Sequence, residues 1–379
     1  MRIALGAPLI SMHGPSSPVV EASYRTALAL AERLDDASRR FPALWGLWYV
    51  QFTRGSYEAA LEAGQRLLDL AGRGDDGGQL LEAHHSLWPT LVSMGEVRRA
   101  LPHLERGIAL YDRERHGGIA SVYAGHDPGA CCRYFMAVGQ WFMGYPDRAR
   151  ATMHEAVRLA ETLGHAMTRT LALSFASALA YLCGDRRGAA TTAERCLAVI
   201  DAHDFRGRRP DMAVLLRGVD PSGADVAALD ALQQEHLASD IRTWRKAMGK
   251  CIVVSLYAEA GAPGRGLELL AEMGDAESYG VYGSEVHRVE GELRRLAAPG
   301  ALAEAERCFE RALDLARRRE LRSLELRAAT SLARLWRDAG RAEDARSLLA
   351  PVHGWFTEGF DTHDLRAAGT LLDELGRGR

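Results

Sequence analysis

SLARLWRDAGRAEDARSLLAPV, residues 331–352, decides how this chain folds. Before Gly340, the apolar residues Leu332, Leu335 and Trp336 stand at the i, i+3, i+4 spacing of one helix face. After it come Ala345 and Leu349, again one helical turn apart. Glycine enters the left-handed conformation that ends a helix without a side-chain penalty, so Gly340 marks a stop. A small residue five positions later lets the next helix lie close to the last. The stretch predicts an antiparallel helical hairpin.

The same device recurs along the chain. Glycines that follow a long amphipathic stretch stand at Gly55, Gly95, Gly144, Gly184, Gly261, Gly300 and Gly340, spaced by 40, 49, 40, 77, 39 and 40 residues. The interval of 77 hides one further unit, expected to turn near Gly218. Five residues after each glycine comes a small one: Ala60, Ala100, Ala149, Ala189, Gly266, Ala305 and Ala345. Leu104, Met153, Leu270, Phe309 and Leu349 lie nine residues past theirs. A period near 40 exceeds the usual tetratricopeptide length and leaves two helices of about 17 residues per unit, each about 25 Å long. The expected helix pairs are 41–54 with 57–71, 78–94 with 97–112, 128–143 with 146–163, and 166–183 with 187–203. After an irregular unit at 209–238 come 241–260 with 264–273, 279–297 with 301–319, and 321–339 with 342–353, then a capping helix at 362–375. The fold class read from this pattern is all-α, a tetratricopeptide-like right-handed α-solenoid of about eight hairpins with a C-terminal cap.

Two stretches break the rhythm. YDRERHGGIASVYAGHDPG (111–129) is too rich in glycine to be helical throughout, and DFRGRRPDMAVLLRGVDPSG (204–223) reads as a worn or shortened unit. The second divides the chain into an N-terminal sub-array (1–203), an irregular repeat (204–240) and a C-terminal sub-array with its cap (241–379). At the other end, ALGAPLI (4–10) reads as the last turns of a helix whose partner starts at Ser17-Pro18, a capping residue followed by a first-turn proline. The expectation is a chain starting inside a hairpin, with an under-covered N-terminal end.

Composition narrows the function. With 379 residues, 47% hydrophobic and 26% charged, the chain has the balance of a globular protein. Lys and Arg (47) nearly cancel Asp and Glu (50), which is no footprint for a nucleic-acid backbone. The cations are almost all arginine, with only Lys246 and Lys250 as exceptions, and there is no Asn, a bias that reads as a GC-rich bacterial coding sequence. The six cysteines form no CxxC pair and read as free thiols of a cytoplasmic protein. No apolar run approaches the ~18 residues that span a bilayer, so no membrane partner is expected.

SLELRAATSLARLWRDAGRAEDARSLLAPVHGWFTEGFDTHDLRAAGTLLDELG (323–376) resembles the C-terminal end of large bacterial signalling proteins. These carry a class III nucleotide cyclase or another effector domain, an AAA-like predicted ATPase, and then a long tetratricopeptide region. FPALWGLWYVQFTRGSYEAALEAGQRLL (41–68), LEAHHSLW (81–88), HLERGIALYD (103–112), GHDPGACC and MGYPDRA (within 125–149) resemble the same family, so the likeness runs over nearly the whole chain. It implies a sensor or scaffold whose chemistry lies in other domains. This sequence holds no GxxxxGK[ST]: Lys250 follows Gly249, but Cys251 stands where Ser or Thr belongs, and GAPGRG (261–266) lacks the phosphate-binding lysine. The chain is therefore read as a non-enzyme without cofactors, partnered by a protein segment or small effector and by an ATPase or cyclase module.

First helices of tetratricopeptide units line the concave face. That register places Trp45, Tyr49, Phe52, Glu82, His85, Tyr134, Trp141, Ser174 and Tyr181 along a ligand or peptide groove. His84, His85, His116, His126, Asp127, Cys131 and Cys132 match no zinc spacing, and adjacent cysteines on a helix point two ways, so no metal is expected. His126-Asp127-Pro128 reads instead as a helix start capped by Asp127. The Arg317–Arg319 run reads as a solvated helix end, the Arg206, Arg208, Arg209 cluster as no nucleic-acid site, and Trp355, Phe356 and Phe360 as a plug sealing the array. The rival readings are a small hydrolase or metal-dependent enzyme centred on 111–132, and a purely structural, self-associating helical array.

Overall fold

The computed structural model describes residues 9–377 apart from 11, 13, 124, 224, 238–242, 299 and 301. Among them there is no strand. After α1 (Pro18–Arg33) come α2 (Ala37–Arg54) and α3 (Tyr57–Ala71), α4 (Gly77–Met94) and α5 (Val97–Leu110), α6 (Pro128–Phe142) and α7 (Pro146–Leu163), and α8 (Ala166–Leu182) and α9 (Arg186–Ala202). Then follow α10 (Arg209–Val219) and α11 (Val226–Leu237), α12 (Trp244–Glu259) and α13 (Pro263–Met273), α14 (Gly283–Ala297) and α15 (Leu302–Arg318), and α16 (Arg322–Asp338) and α17 (Ala342–Gly354), before α18 (His363–Arg377). The protein is an all-α, tetratricopeptide-like array of helical hairpins. Most boundaries fall within one or two residues of those expected from the glycines, but α2 starts four residues earlier than 41, where Asp36 caps it, and α14 starts four residues later than 279, after a 3₁₀ stretch at Ala276–Tyr282. The expected starts at 241 and 301, and residues 4–8 of the ALGAPLI stretch, lie outside the described residues. The Ser17 hydroxyl caps α1, accepting from the Val19 N–H at 3.3 Å.

Six of the seven turn glycines, all but Gly300, have φ between +74° and +93°. The small residues that follow do what the pattern demands: Ala60, Ala100, Ala149, Ala189, Ala305 and Ala345 are fully buried. At Gly266 a β-carbon would stand 3.1 Å from the Val254 carbonyl oxygen, so the backbones of α12 and α13 touch there. The expected turn at Gly218 is corrected. Gly218 lies inside α10, where a β-carbon would meet Ile252 at 2.6 Å, and the left-handed residue of that turn is Gly223. Glycine serves close packing at the first position and chain reversal at the second. The hairpin is short, with helices of 11 and 12 residues against 17 and 17 in α8 and α9.

Packing gathers the chain into two compact units, one from 1–136, 152–173 and 239–243, the other from 137–151, 174–238 and 244–379. This is a grouping by contacts, distinct from the sub-arrays separated at 204–240. The first unit is centred on Phe41, Leu44, Trp45, Trp48 and Leu67, with the Trp48 indole N–H donating to Thr90 Oγ1 at 3.0 Å. In the second, Phe309, Leu326, Leu332, Leu349 and Leu371 fill the space among α15 to α18.

In the second unit the 355–362 segment folds back onto chain two hundred residues earlier. Glu358 Oε1 accepts the backbone N–H groups of Asp147 and Arg148, both at 3.0 Å, and so caps α7 from a distant loop. Gly359 N–H donates to Asp147 Oδ2 at 3.0 Å, and Arg150 pairs with Asp361 at 2.9 Å. Phe356 is buried, and Trp355 packs against Tyr145 with ring centroids 5.7 Å apart, whereas Phe360 stays exposed. Two of the three aromatics therefore form the seal.

A β-carbon on Gly144 would meet Trp355 at 2.6 Å and Arg322 at 2.9 Å, whereas one on Gly340 meets nothing within 4 Å. Both glycines are left-handed. Gly340→Ala should therefore cost only backbone strain, about 1–2 kcal/mol. Gly144→Ala should cost about 1–3 kcal/mol more from overpacking. Urea unfolding of the two variants checks the difference; equal costs would mean that the 355–362 segment does not press on this turn.

Candidate functional site

The expected groove residues are divided between the two units. In the first, Trp45, Glu82, His85 and Tyr134 are buried, and Tyr49 and Phe52 are half-buried. Trp45 stacks on Tyr49 at 5.6 Å, and the His85 ring stacks on Trp88 at 4.9 Å. These side chains pack between helices.

Around them lies a polar knot. Glu82 Oε2 is 2.8 Å from His85 Nδ1, and on the other edge of that ring Nε2 is 3.3 Å from both His126 Nε2 and Cys131 Sγ. Burial pushes the Glu82 carboxyl well above the usual range, raises the Cys131 thiol, and lowers His85 to about 3. Cys132 points elsewhere, its thiol donating to the Gly129 carbonyl at 3.2 Å, as adjacent helical positions require. Asp127 caps α6 as read from the sequence, accepting from Ala130 N–H at 2.8 Å, and also takes the Tyr111 hydroxyl at 2.9 Å. Burial raises the Asp127 carboxyl. His84 and His116 belong to other contacts, His84 with His103 and His116 with the Asp112 N–H.

In the second unit, Trp141 and Ser174 are buried, and Tyr181 lines a cavity of about 270 Å³. Its walls come from first helices: Tyr181 of α8, Cys251 and Ser255 of α12, Glu285 and Arg288 of α14, and Arg327, Thr330, Ser331 and Arg334 of α16. Arg186 of α9 and His363 and Asp364 of α18 complete it. Arg288 forks onto Glu285 with contacts of 2.7 and 2.9 Å. Arg327 donates to Asp364 at 2.7 Å and to the Leu182 carbonyl at 2.9 Å, and its guanidinium lies 5.0 Å from the Trp141 ring centroid. Burial alone would push the Glu285 carboxyl up, but Arg288 and Arg327 outweigh it and hold the group at about 2. Burial opposes the charge on Arg327, yet Asp364 and Glu285 more than offset it, so its pKa rises. Four arginines thus face two carboxylates. Among the described residues Arg334 has no hydrogen-bond or ion-pair partner, and it is exposed.

Three hydroxyls of the cavity wall each donate within the fold. Ser331 donates to Glu292 at 2.7 Å, Ser255 to the Cys251 carbonyl at 2.8 Å, and Thr330 to the Leu326 carbonyl at 2.7 Å. Burial raises the Cys251 thiol, which keeps it protonated at neutral pH.

The sequence register missed these arginines although it contained them. His85, Tyr134 and Ser174 stand ten residues before their glycines. Thirteen, ten and six residues before Gly340 stand Arg327, Thr330 and Arg334, and ten and six before Gly261 stand Cys251 and Ser255, all of them in the cavity wall. Glu285 and His363 had no such signal, because Glu285 stands fifteen residues before Gly300, at none of these offsets, and α18 follows no repeat glycine.

No family model matches the chain. A protein of Rhizobium meliloti (strain 1021), described as uncharacterized, is 27% identical over 173 residues, which are 45% of this chain and 16% of that protein. The chain therefore spans about one sixth of the length of the curated relative it matches. Among solved structures it is similar to a Rap protein complexed with competence and sporulation factor (12% identity, TM-score 0.48, 98% of this chain and 84% of that one). It is also similar to the human IFIT1 dimer with m7Gppp-AAAA (12% identity, TM-score 0.45, 92% and 80%). A third similar structure is the TPR domain of P58(IPK) (12% identity, TM-score 0.27, 100% and 99%). No helix among the described residues is long and apolar enough to cross a membrane.

Proposed function

We propose that the protein is a non-catalytic tetratricopeptide sensor that captures the acidic end or side chains of a peptide, or a small anionic effector, in the cavity of its second unit. The observation that carries this reading is the wall itself, in which four first helices and the cap converge and arginines outnumber carboxylates by four to two. Glu285 and Asp364 compensate Arg288 and Arg327, which leaves Arg334 and Arg186 to meet a ligand's charge. About 270 Å³ suits a short acidic segment rather than a folded domain. Tied hydroxyls and a protonated thiol favour holding over transforming.

In the same proposal, occupancy is passed to an ATPase or nucleotide cyclase module in signal transduction in the cytoplasm. The resemblance of 323–376 to the end of such signalling proteins supports that partner, as does the far greater length of the Rhizobium meliloti relative. Hairpins that share narrow interfaces bend together, so a ligand touching α8, α12, α14, α16 and α18 shifts them as a set.

Two outcomes are expected. A short fluorescent peptide rich in Asp and Glu should bind, its Asn/Gln counterpart should not, and Arg334→Glu should weaken the acidic peptide at least ~tenfold, about 1.4 kcal/mol. Fluorescence anisotropy measures both. Equal binding of the two peptides, or indifference to Arg334→Glu, would sink the reading. The second outcome concerns acid. Glu285 is held at about 2 against an ordinary 4.5, so its contribution to stability is complete above about pH 4.5 and lost as pH falls toward 2. Glu285→Gln should cost about 3–5 kcal/mol at pH 7 by taking from Arg288 its closest carboxylate and leaving Arg327 with Asp364 alone. Its unfolding free energy should also be flatter than the wild type's across that acid window. Urea titrations at a series of pH values decide it.

A further inference from the structure

We propose that His85, His126 and Cys131 form a zinc site inside the first unit. Three separate stretches supply the donors: the middle of α4, the end of the 111–127 segment and the first turn of α6. Their ligand atoms all lie within 4.8 Å of one another, with His85 Nε2 at 3.3 Å from both His126 Nε2 and Cys131 Sγ. A tetrahedral zinc ion with ordinary Zn–N and Zn–S bonds sets its donors about 3.3 Å apart for two nitrogens and about 3.6 Å for nitrogen and sulfur. The His85–His126 edge matches that tetrahedron, the His85–Cys131 edge is about 0.3 Å shorter, and the His126–Cys131 edge is at most 4.8 Å, so the three donors occupy three of its four corners.

On the His85 ring two donors converge on one acceptor. When His85 Nδ1–H donates to Glu82, Nε2 carries a single in-plane lone pair, and the His126 N–H and the Cys131 S–H compete for it at 3.3 Å, long for an N–H donor. An ion at the centre gives each donor its own bond. Glu82 completes the arrangement. It is fully buried, and its Oε2 meets His85 Nδ1 at 2.8 Å. A carboxylate on the far nitrogen of a ligating histidine is the usual support of a zinc-bound ring. The Cys131 thiolate and the Glu82 carboxylate also balance the two charges of the ion, so the occupied knot is neutral. Two imidazoles and a thiolate suit zinc and not the oxygen-seeking calcium or magnesium.

The donors are too deeply buried for an open catalytic centre, with His85 and Cys131 each 1% exposed. The ion acts as a clip, fastening the irregular 111–127 segment to α4 and α6. On binding, the Cys131 thiol and the buried Glu82 carboxyl each give a proton to solvent, so two protons leave as the divalent ion enters.

The full-length chain expressed in zinc-supplemented medium should carry about one zinc per molecule by elemental mass spectrometry, and chelation should lower its melting temperature. Cobalt replacement should give a thiolate-to-metal absorption band that Cys131→Ser abolishes. His126→Ala should lose the metal, and Cys132→Ser, whose sulfur faces Gly129, should keep it. Should Cys131→Ser fail to fold, the zinc content, chelator response and cobalt band of the wild type still decide. A helical wild-type protein without zinc, whose melting temperature zinc does not move, overturns the proposal, as does loss of zinc in Cys132→Ser.

Discussion

Arg327 is the side chain on which the second unit's interior depends. From α16 it reaches Asp364 on α18 at 2.7 Å, Glu285 on α14 at 3.5 Å and the Leu182 carbonyl at the end of α8 at 2.9 Å, with its plane near Trp141 of α6. An aliphatic residue would satisfy none of these partners, and lysine has neither the planar fork nor the reach. Removing one member of such a set leaves charges without compensation in a poorly hydrated place, so the network is an all-or-none device. It also lets a protein with a formal charge of only −3 keep four arginines in one cavity wall. The carboxylates it contains are committed to holding helices, and the remaining guanidinium groups are left to face outward into the cavity.

The return of the chain near residue 360 follows the same logic by other means. A helix start leaves backbone N–H groups without acceptors, and in α7 two of them are satisfied by Glu358. The left-handed turns at Gly144 and Gly184 supply room: a β-carbon at either would collide with Trp355 or with His363. Repeat geometry thus brings α16 and the cap beside α8, and turn geometry allows the seal.

Much of this was legible in the sequence because it rests on local rules. A glycine that ends a helix and a small residue that admits the next one recur with a fixed offset, and the helices expected at 57–71 and 146–163 have those limits. Gly218 misled because a glycine inside a helix and a glycine at its end are the same letter; only the neighbours Ile252 and Tyr181 tell them apart. The site was less legible. Register alone reached Tyr181 and, extended to Gly340, reaches Arg327 and Arg334. It could not show that Trp45 and His85 would face other helices, since burial depends on which neighbours arrive. The His85, His126 and Cys131 grouping escaped spacing rules because its members are 41 and 5 residues apart in sequence and meet only through folding.

Two chemistries therefore sit in two different units: a closed nitrogen and sulfur knot suited to a structural ion, and an open, arginine-rich wall suited to an anion. The wall is the part that gives the protein its proposed purpose. A crystal structure of the chain grown with an acidic peptide tests that assignment most directly. The account predicts a peptide carboxylate within hydrogen-bond reach of Arg334, with Glu285 still paired to Arg288; a peptide seated elsewhere while the cavity holds only solvent would contradict it.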